Sequence, residues 1–401
     1  MSTRPNLMSP ELRANPFPLY AELLEHTPVS QIEPMGMWAV TRYEDCLTVL
    51  KDPQRFSSQI WGATIPDFLS DVPMSHAIFT KSMIGMDPPH HTKLRLLVSR
   101  AFGGPSMNRL ETRIRGIAEE LATNVARKCE VEFVSEFAMP LPAFVIGDLL
   151  GLDRSLHTHF KRWADDLVAG MSGSHTPESA VRIRQSYQEM ERYLRDVIAE
   201  RRRQPREDMV SELLRSEVDG KALNEEELLG FLGLLLLAGL ETTVHLLSNT
   251  LLTLSTRPEV FERVRAEPAL IPPLLEEVLR FEPPVRGVLR LAQTDVELSG
   301  TTIPKGSMVF VLLAAAGRDP RQFSEPERFD LGREKPGNLP FGHGIHFCLG
   351  AALSRMESRL GLEALFSKVS AVRGLNTRPL EWNLALTVRG PVQLPLLFTR
   401  A

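Results

Sequence analysis

The stretch NEEELLGFLGLLLLAGLETTVHLLSNTLLTLST, residues 224–256, reads as one long helix. Asn224 can cap it, Glu227 stands three residues on in capping-box spacing, and Arg257-Pro258 supplies the stop. At about 1.5 Å per residue such a helix crosses a whole domain. Its middle is apolar nearly all round, which means burial rather than a surface position. The apolar run inside Leu228 to Leu240 falls short of the roughly 20 residues that span a bilayer. Within this interior stand Gly239, Glu241 and Thr242. The glycine weakens the helix by about 1 kcal/mol relative to alanine. A buried acid and alcohol are unfavourable unless paired or in contact with water. The segment therefore reads either as a groove where something binds, or as a threonine bonded back to a carbonyl beside an outward-facing glutamate.

Outward from this helix the pattern stays mainly helical. Val296 to Pro304 reads as a short hairpin turning at Ser299-Gly300, and Ser307 to Ala315 as a buried strand. Asp319 to Pro340 is rich in proline, glycine and charge, too long for a simple loop and expected to pack on something specific. A further helix is expected from Gly350 to about Val369. The fold class is mainly α with small β-sheets (α+β), in a single domain spanning 1–401, without repeats or a linker. The 401 residues carry 46 Lys+Arg against 50 Asp+Glu, a net −4, with 43% hydrophobic and 24% charged residues. That composition excludes extended disorder and gives no reason to expect nucleic acid as partner. The N-terminus shows no signal or transit pattern. Cys46, Cys129 and Cys348 form no readable disulfide framework, so a cytoplasmic protein without membrane association is expected.

Cys348 stands apart. In PFGHGIHFCLGAAL, residues 340–353, it lies between a glycine-rich loop and a helix start. Gly342 and Gly344 permit positive φ and close approach of a flat ligand. The amides of Leu349 and Gly350 would point at the sulfur and favour thiolate, making it a nucleophile or a metal ligand. The pattern Phe341-Gly342-x-Gly344-x-His346-x-Cys348-x-Gly350 resembles the haem-ligand loop of the cytochrome P-450 superfamily of haem-thiolate monooxygenases.

Three further motifs in the family's order extend that resemblance from about Pro16 to the C-terminus. Ala238-Gly239-Leu240-Glu241-Thr242 is similar to the family's segment over the haem, where Ala238 and Gly239 would lie against the cofactor and Glu241 and Thr242 would deliver protons. The family often has aspartate where Glu241 stands. Glu277-Val278-Leu279-Arg280 resembles its Glu-x-x-Arg pair; Arg328, from Pro326-Glu327-Arg328-Phe329, would complete that structural cluster. In Asp87-Pro88-Pro89-His90-His91-Thr92-Lys93-Leu94-Arg95 the prolines open a helix that puts His91 and Arg95 at i, i+4 on one face. By resemblance His91, Arg95, Arg290 and His346 give four donors to the two haem propionates.

The resemblance implies haem b held non-covalently, with Cys348 as axial ligand, dioxygen as co-substrate, and oxidation of a C–H bond by hydroxylation or, on an alkene, epoxidation. Two electrons would come from NAD(P)H through a separate ferredoxin reductase and a ferredoxin, docking on a basic face with Lys93, Arg100, Arg113 and Arg355. The chain is expected to act as a monomer. Pocket walls fall near Ile60 to Ile84, near Val168 to Met171, at Leu234, Leu235 and Ala238, from Val285 to Leu289 (with Arg286, Val288 and Leu289), and at Leu386 to Val388 around Thr387. Their apolar character points to a fatty acid, terpenoid, steroid or macrolide. Arg286, turned inward, would pair with a substrate carboxylate; turned outward it is surface. Rival readings are a peroxide-using or substrate-rearranging haem-thiolate enzyme, a non-catalytic haem sensor, and a hydrolase with Cys348 as nucleophile and His346 as base.

Overall fold

Asn224 caps the helix Glu225–Ser255 as its spacing predicts. Its side chain accepts from the Glu227 amide at 2.9 Å, and the Glu227 carboxylate accepts from the Asn224 amide at 2.9 Å. The computed structural model describes residues 4–33, 35–60, 67–102, 105–170, 176–218, 220–333, 337–375 and 379–401. Helices Pro73–Thr80, Pro140–Leu150, His157–Gly170, Ile271–Phe281 and Ala351–Phe366 pack against this central helix. Leu232, Leu247, Leu251 and Leu254 are wholly enclosed by them. The central helix has the length and apolarity of a membrane span. Here that apolar surface is the core of a helical layer, which explains its all-round hydrophobicity.

A five-stranded sheet stands beside the helices, in the order Val29–Ile32, Met37–Val40, Met308–Val311, Val288–Ala292, Phe56–Ser57. Val309 lies opposite Trp38 in a parallel pair and opposite Arg290 in an antiparallel one. The hairpin Val296–Leu298 and Thr301–Ile303 turns at Ser299 and Gly300, both at positive φ. A third sheet pairs Val369–Gly374, Pro395–Arg400 and Glu130–Glu132.

Two expected elements end differently. The strand expected to run to Ala315 stops at Val311, and Leu313–Ala316 is a short helix. Beyond Val311 the neighbouring strand has ended, and the Arg286 carbonyl accepts from the Ala314 amide at 3.0 Å; an alanine run without a sheet partner turns helical. The helix expected to reach Val369 stops at Phe366. Val369 and Val372 are buried in strand pairing with Pro395–Arg400, where β-branched residues pack best.

The segment 319–340 packs on the helix Ile271–Phe281. Arg280 holds Glu277 in a double contact, Nε to Oε2 at 2.9 Å and Nη2 to Oε1 at 2.7 Å. Arg280 also donates to the carbonyls of Gly317, Pro326 and Arg328 at 2.9, 2.8 and 3.1 Å. The expected third member needs correction. Arg328 contributes only its carbonyl; its side chain, 58% exposed, pairs with Glu325 and Asp330. Arg333 takes the inner place, with Nε 3.4 Å from Glu277 and 12% exposure.

Candidate active site

The Cys348 loop is built by backbone. Gly342 and Gly344 adopt φ of +71° and +67°, and the Phe341 carbonyl accepts from the Cys348 amide at 2.8 Å. A side chain on Gly344 would stand 2.5 Å from the Leu50 carbonyl, so the loop presses directly on the helix Tyr43–Lys51. The helix Ala351–Phe366 follows at once. Burial pushes the Cys348 thiol up, more than the Gly350 amide and the Arg95 and Arg355 charges pull it down. A metal cation is what would displace that proton.

Around the loop gather the four expected donors, His91, Arg95, Arg290 and His346. The His91 ring is 4.3 Å from the His346 ring, centroid to centroid. His91 is 1% exposed and both its ring nitrogens lack partners. Burial and then the Arg95 charge lower its pKa. His346 meets the Ser58 hydroxyl at 2.9 Å, and burial, then Arg290 and His91, push it down to about 3. Burial also brings Arg290 down to about 10, with the Leu289 carbonyl as acceptor at 2.8 Å. Arg95 donates to the Phe347 carbonyl at 2.6 Å, tying the helix His90–Ala101 to the loop. These groups depress one another; the nearby carboxylate, Asp87, is engaged by the Ser58 amide at 2.9 Å. Such a cluster calls for anions.

The central helix faces the same space. Ala238 is exposed and Gly239, Glu241 and Thr242 are only half-buried, in the middle of a helix otherwise enclosed. Thr242 donates to the Ala238 carbonyl at 2.7 Å. A side chain on Gly239 would stand 2.8 Å from Ile146 Cδ1, so the glycine also eases packing against the helix Pro140–Leu150. Thr243 Oγ1 lies 3.3 Å from Ser354 Oγ, placing this turn against the helix that begins at the Cys348 loop. Leu234, Leu235, Val288, Leu289, Leu386, Thr387 and Val388 are partly open. The Thr387 carbonyl accepts from the Arg286 amide at 2.7 Å, joining the two wall segments. Residues 61–66 and 171 and the side chain of Val168, also expected in the wall, lie outside the described residues.

Arg286 itself faces neither the cavity nor solvent. It is 1% exposed and donates from Nε to the Tyr20 hydroxyl at 3.2 Å, inside the core beneath the N-terminal helix Phe17–His26. Among the described residues of the wall segments Val285 to Leu289 and Leu386 to Val388, Arg286 is the one charged side chain, and it is buried. An open turn on a buried helix, orphaned His91 nitrogens, and two arginines beside two imidazoles fit a flat dianionic group ligated by sulfur. A haem fits these residues.

A family model described as Cytochrome P450 matches residues 155–372. The chain belongs to the cytochrome P450 family. It is 39% identical to a cytochrome P450 from Chondromyces apiculatus of known structure, with full coverage of both chains and a TM-score of 0.90. It is 38% identical over 399 residues to the vitamin D(3) 25-hydroxylase of Pseudonocardia autotrophica, covering 98% of this chain and 96% of the relative. A cytochrome P450 from Bacillus megaterium, solved in complex with testosterone, is 34% identical, with a TM-score of 0.86 over 97% of this chain and 99% of that one. This cytochrome P450 is therefore a monooxygenase, and the family implies haem with cysteine-thiolate ligation and dioxygen as co-substrate. Sequence reading missed Ser58, Arg333, His245 and Asn383. Of these only His245 left a signal, its four-residue offset from Glu241.

Proposed function

We propose that this cytochrome P450 hydroxylates a neutral, apolar, steroid-like molecule, with electrons from NAD(P)H through a separate ferredoxin reductase and ferredoxin. The observation that carries the substrate class is the burial of Arg286 on Tyr20, which withdraws the expected carboxylate receptor from the wall segment Val285 to Leu289. The relatives named for vitamin D(3) and solved with testosterone support a steroid-like shape.

Cys348 Sγ would ligate the iron, and His91, Arg95, Arg290 and His346 would hold the propionates. When bound, the haem supplies dioxygen activation and the oxidising power for a C–H bond. Forming one alcohol and one water from dioxygen takes two electrons and two protons, so a proton route is needed as well as a reductase. Thr242, with its hydroxyl hydrogen directed at the Ala238 carbonyl, keeps lone pairs free to accept and holds a proton at Oγ1 beside the cavity. Glu241 carries protons to it. Behind Glu241 stands Asp165, paired with Lys161, its carboxyl pushed up by burial and further by the Glu241 charge. This chain of carboxyls leads outward through the helix His157–Gly170.

The ferredoxin would dock on a face that includes exposed Lys93, Arg100 and Arg113 together with exposed Leu96 and Phe347. Arg355 is committed elsewhere: it pairs with Glu276 at 2.5 Å and lies over the Phe341 ring at 4.3 Å. Free Cys46, Cys129 and Cys348 suit a reducing cytoplasm. Spectral titration with testosterone, laurate and methyl laurate tests the substrate class. Testosterone is expected to shift the haem spectrum, and acid and ester to bind alike; laurate far tighter than its ester would overturn it.

A further inference from the structure

We infer that His245 is a positioning residue for Glu241, tying the acid of the proton path to the loop that walls the substrate cavity. The inference rests on the role proposed above for Glu241. His245 lies one turn on, 6% exposed, with Nε2 3.5 Å from Glu241 Oε1. The same Nε2 lies 2.9 Å from Asn383 Nδ2. One nitrogen thus stands between a carboxyl and an amide. Nε2 accepts from the Asn383 amide while the Glu241 carboxyl stands beside it.

The seat of the ring is specific. A side chain on Gly390 would stand 2.0 Å from His245 Nδ1 and 2.4 Å from Cγ, so a glycine there is what leaves room for the imidazole. Nδ1 is buried against it without a partner. The Gly390 carbonyl accepts from the Asn383 amide at 3.1 Å, closing the loop whose Leu386, Thr387 and Val388 face the cavity. One turn further along the helix, Asn249 grips the far end of that loop through the Arg389 carbonyl at 3.1 Å. Glu241, His245 and Asn249 therefore form a polar stripe at four-residue spacing on an apolar helix, and the stripe meets the wall loop.

The charged groups around the stripe leave His245 this role. Asp165, with Lys161, acts on Glu241 from the helix His157–Gly170. Arg389, on the loop, is turned away to Glu282 at 3.0 Å and to the Ala14 carbonyl at 2.7 Å. Pressure of a substrate on the wall loop would thus reach the acid through Asn383 and the ring.

The test uses the haem-loaded enzyme, a surrogate ferredoxin system and testosterone as probe. His245→Phe fills the ring space without nitrogens, and His245→Gln restores an amide within reach. Dioxygen consumption should fall about tenfold in His245→Phe, with an enlarged D2O isotope effect, and recover in part in His245→Gln. A second readout does not depend on turnover. In the reduced, carbon monoxide-bound protein, the ring carbon–proton NMR signal, assigned by its loss in His245→Gln, should move in Glu241→Gln and in Asn383→Ala. An unmoved signal, or a wild-type rate and isotope effect in His245→Phe, overturns the inference. Glu241→Gln separates the two levels. If it leaves the isotope effect unchanged, the role of Glu241 itself is wrong and the inference falls with it. If it changes the effect while His245→Phe does not, the inference alone fails.

Discussion

Replacing Arg280 with leucine should destabilise the protein more than any change at Arg328, although the two share the family's charge-cluster motif. Arg280 is 1% exposed and loses, on substitution, both contacts to Glu277 and those to the carbonyls of Gly317, Pro326 and Arg328. Glu277, 3% exposed, is left with Arg333 at 3.4 Å and the Asp330 amide at 2.9 Å. Removing one partner of a buried pair destabilises by about 3–5 kcal/mol. Unfolding entropy of about 2.1 cal/mol/K per residue makes that roughly 4–6 °C in Tm for a chain of this length. Arg328→Leu touches only exposed pairs with Glu325 and Asp330, worth about 0–1 kcal/mol, or about 1 °C at most. Arg333→Leu should fall between, through lost contacts to Glu277 and to the carbonyls of Ser324 and Arg328. Calorimetric melting of the haem-loaded variants, with haem content measured alongside, reads all three. A loss in Arg328→Leu equal to that in Arg280→Leu would refute the reasoning.

Thr242→Ala should keep NAD(P)H consumption near the wild-type rate while product yield drops by about tenfold or more and hydrogen peroxide rises; tight coupling in that variant would contradict the proton role of Thr242. Glu357, 2% exposed with Oε2 unpartnered, is pushed up to about 8 by burial, from an ordinary value of 4.5. A raised folded-state pKa gives stability that is complete below about 4.5 and lost as pH rises through about 8. Melting from pH 5 to 9 should therefore show the wild type losing at least about 1 kcal/mol relative to Glu357→Gln, which keeps the neutral shape at every pH. Parallel curves for the two proteins would show that the carboxyl is not held neutral.

The central helix was legible to the residue because its signals are local: a capping box at one end, a proline stop at the other, and an apolar run between. The Cys348 loop was legible for the same reason, its positive-φ glycines being spaced along a few residues. What escaped depends on partners distant in sequence. Leu313–Ala316 looks like strand until its neighbour is seen to end. Arg328 and Arg333 differ by burial, which the order of a proline-rich segment does not encode. Arg286 alternates away from the cavity onto Tyr20, a contact 266 residues off. Arg201, in the basic last turn of the helix Pro177–Arg203, is 1% exposed and bound to Asp208 at 2.5 Å and to the Gly151 carbonyl at 2.7 Å. Lone cations in this chain belong to tertiary structure more often than their local context suggests.

The most direct measurement is the absorption spectrum of the reduced protein under carbon monoxide, taken for the wild type and for Cys348→Ala. A thiolate opposite the bound gas gives the wild type a strongly red-shifted Soret band, and the variant should lose that band or fail to retain haem. An unshifted wild-type spectrum, or an identical band in Cys348→Ala, would mean that the sulfur of residue 348 does not hold the iron.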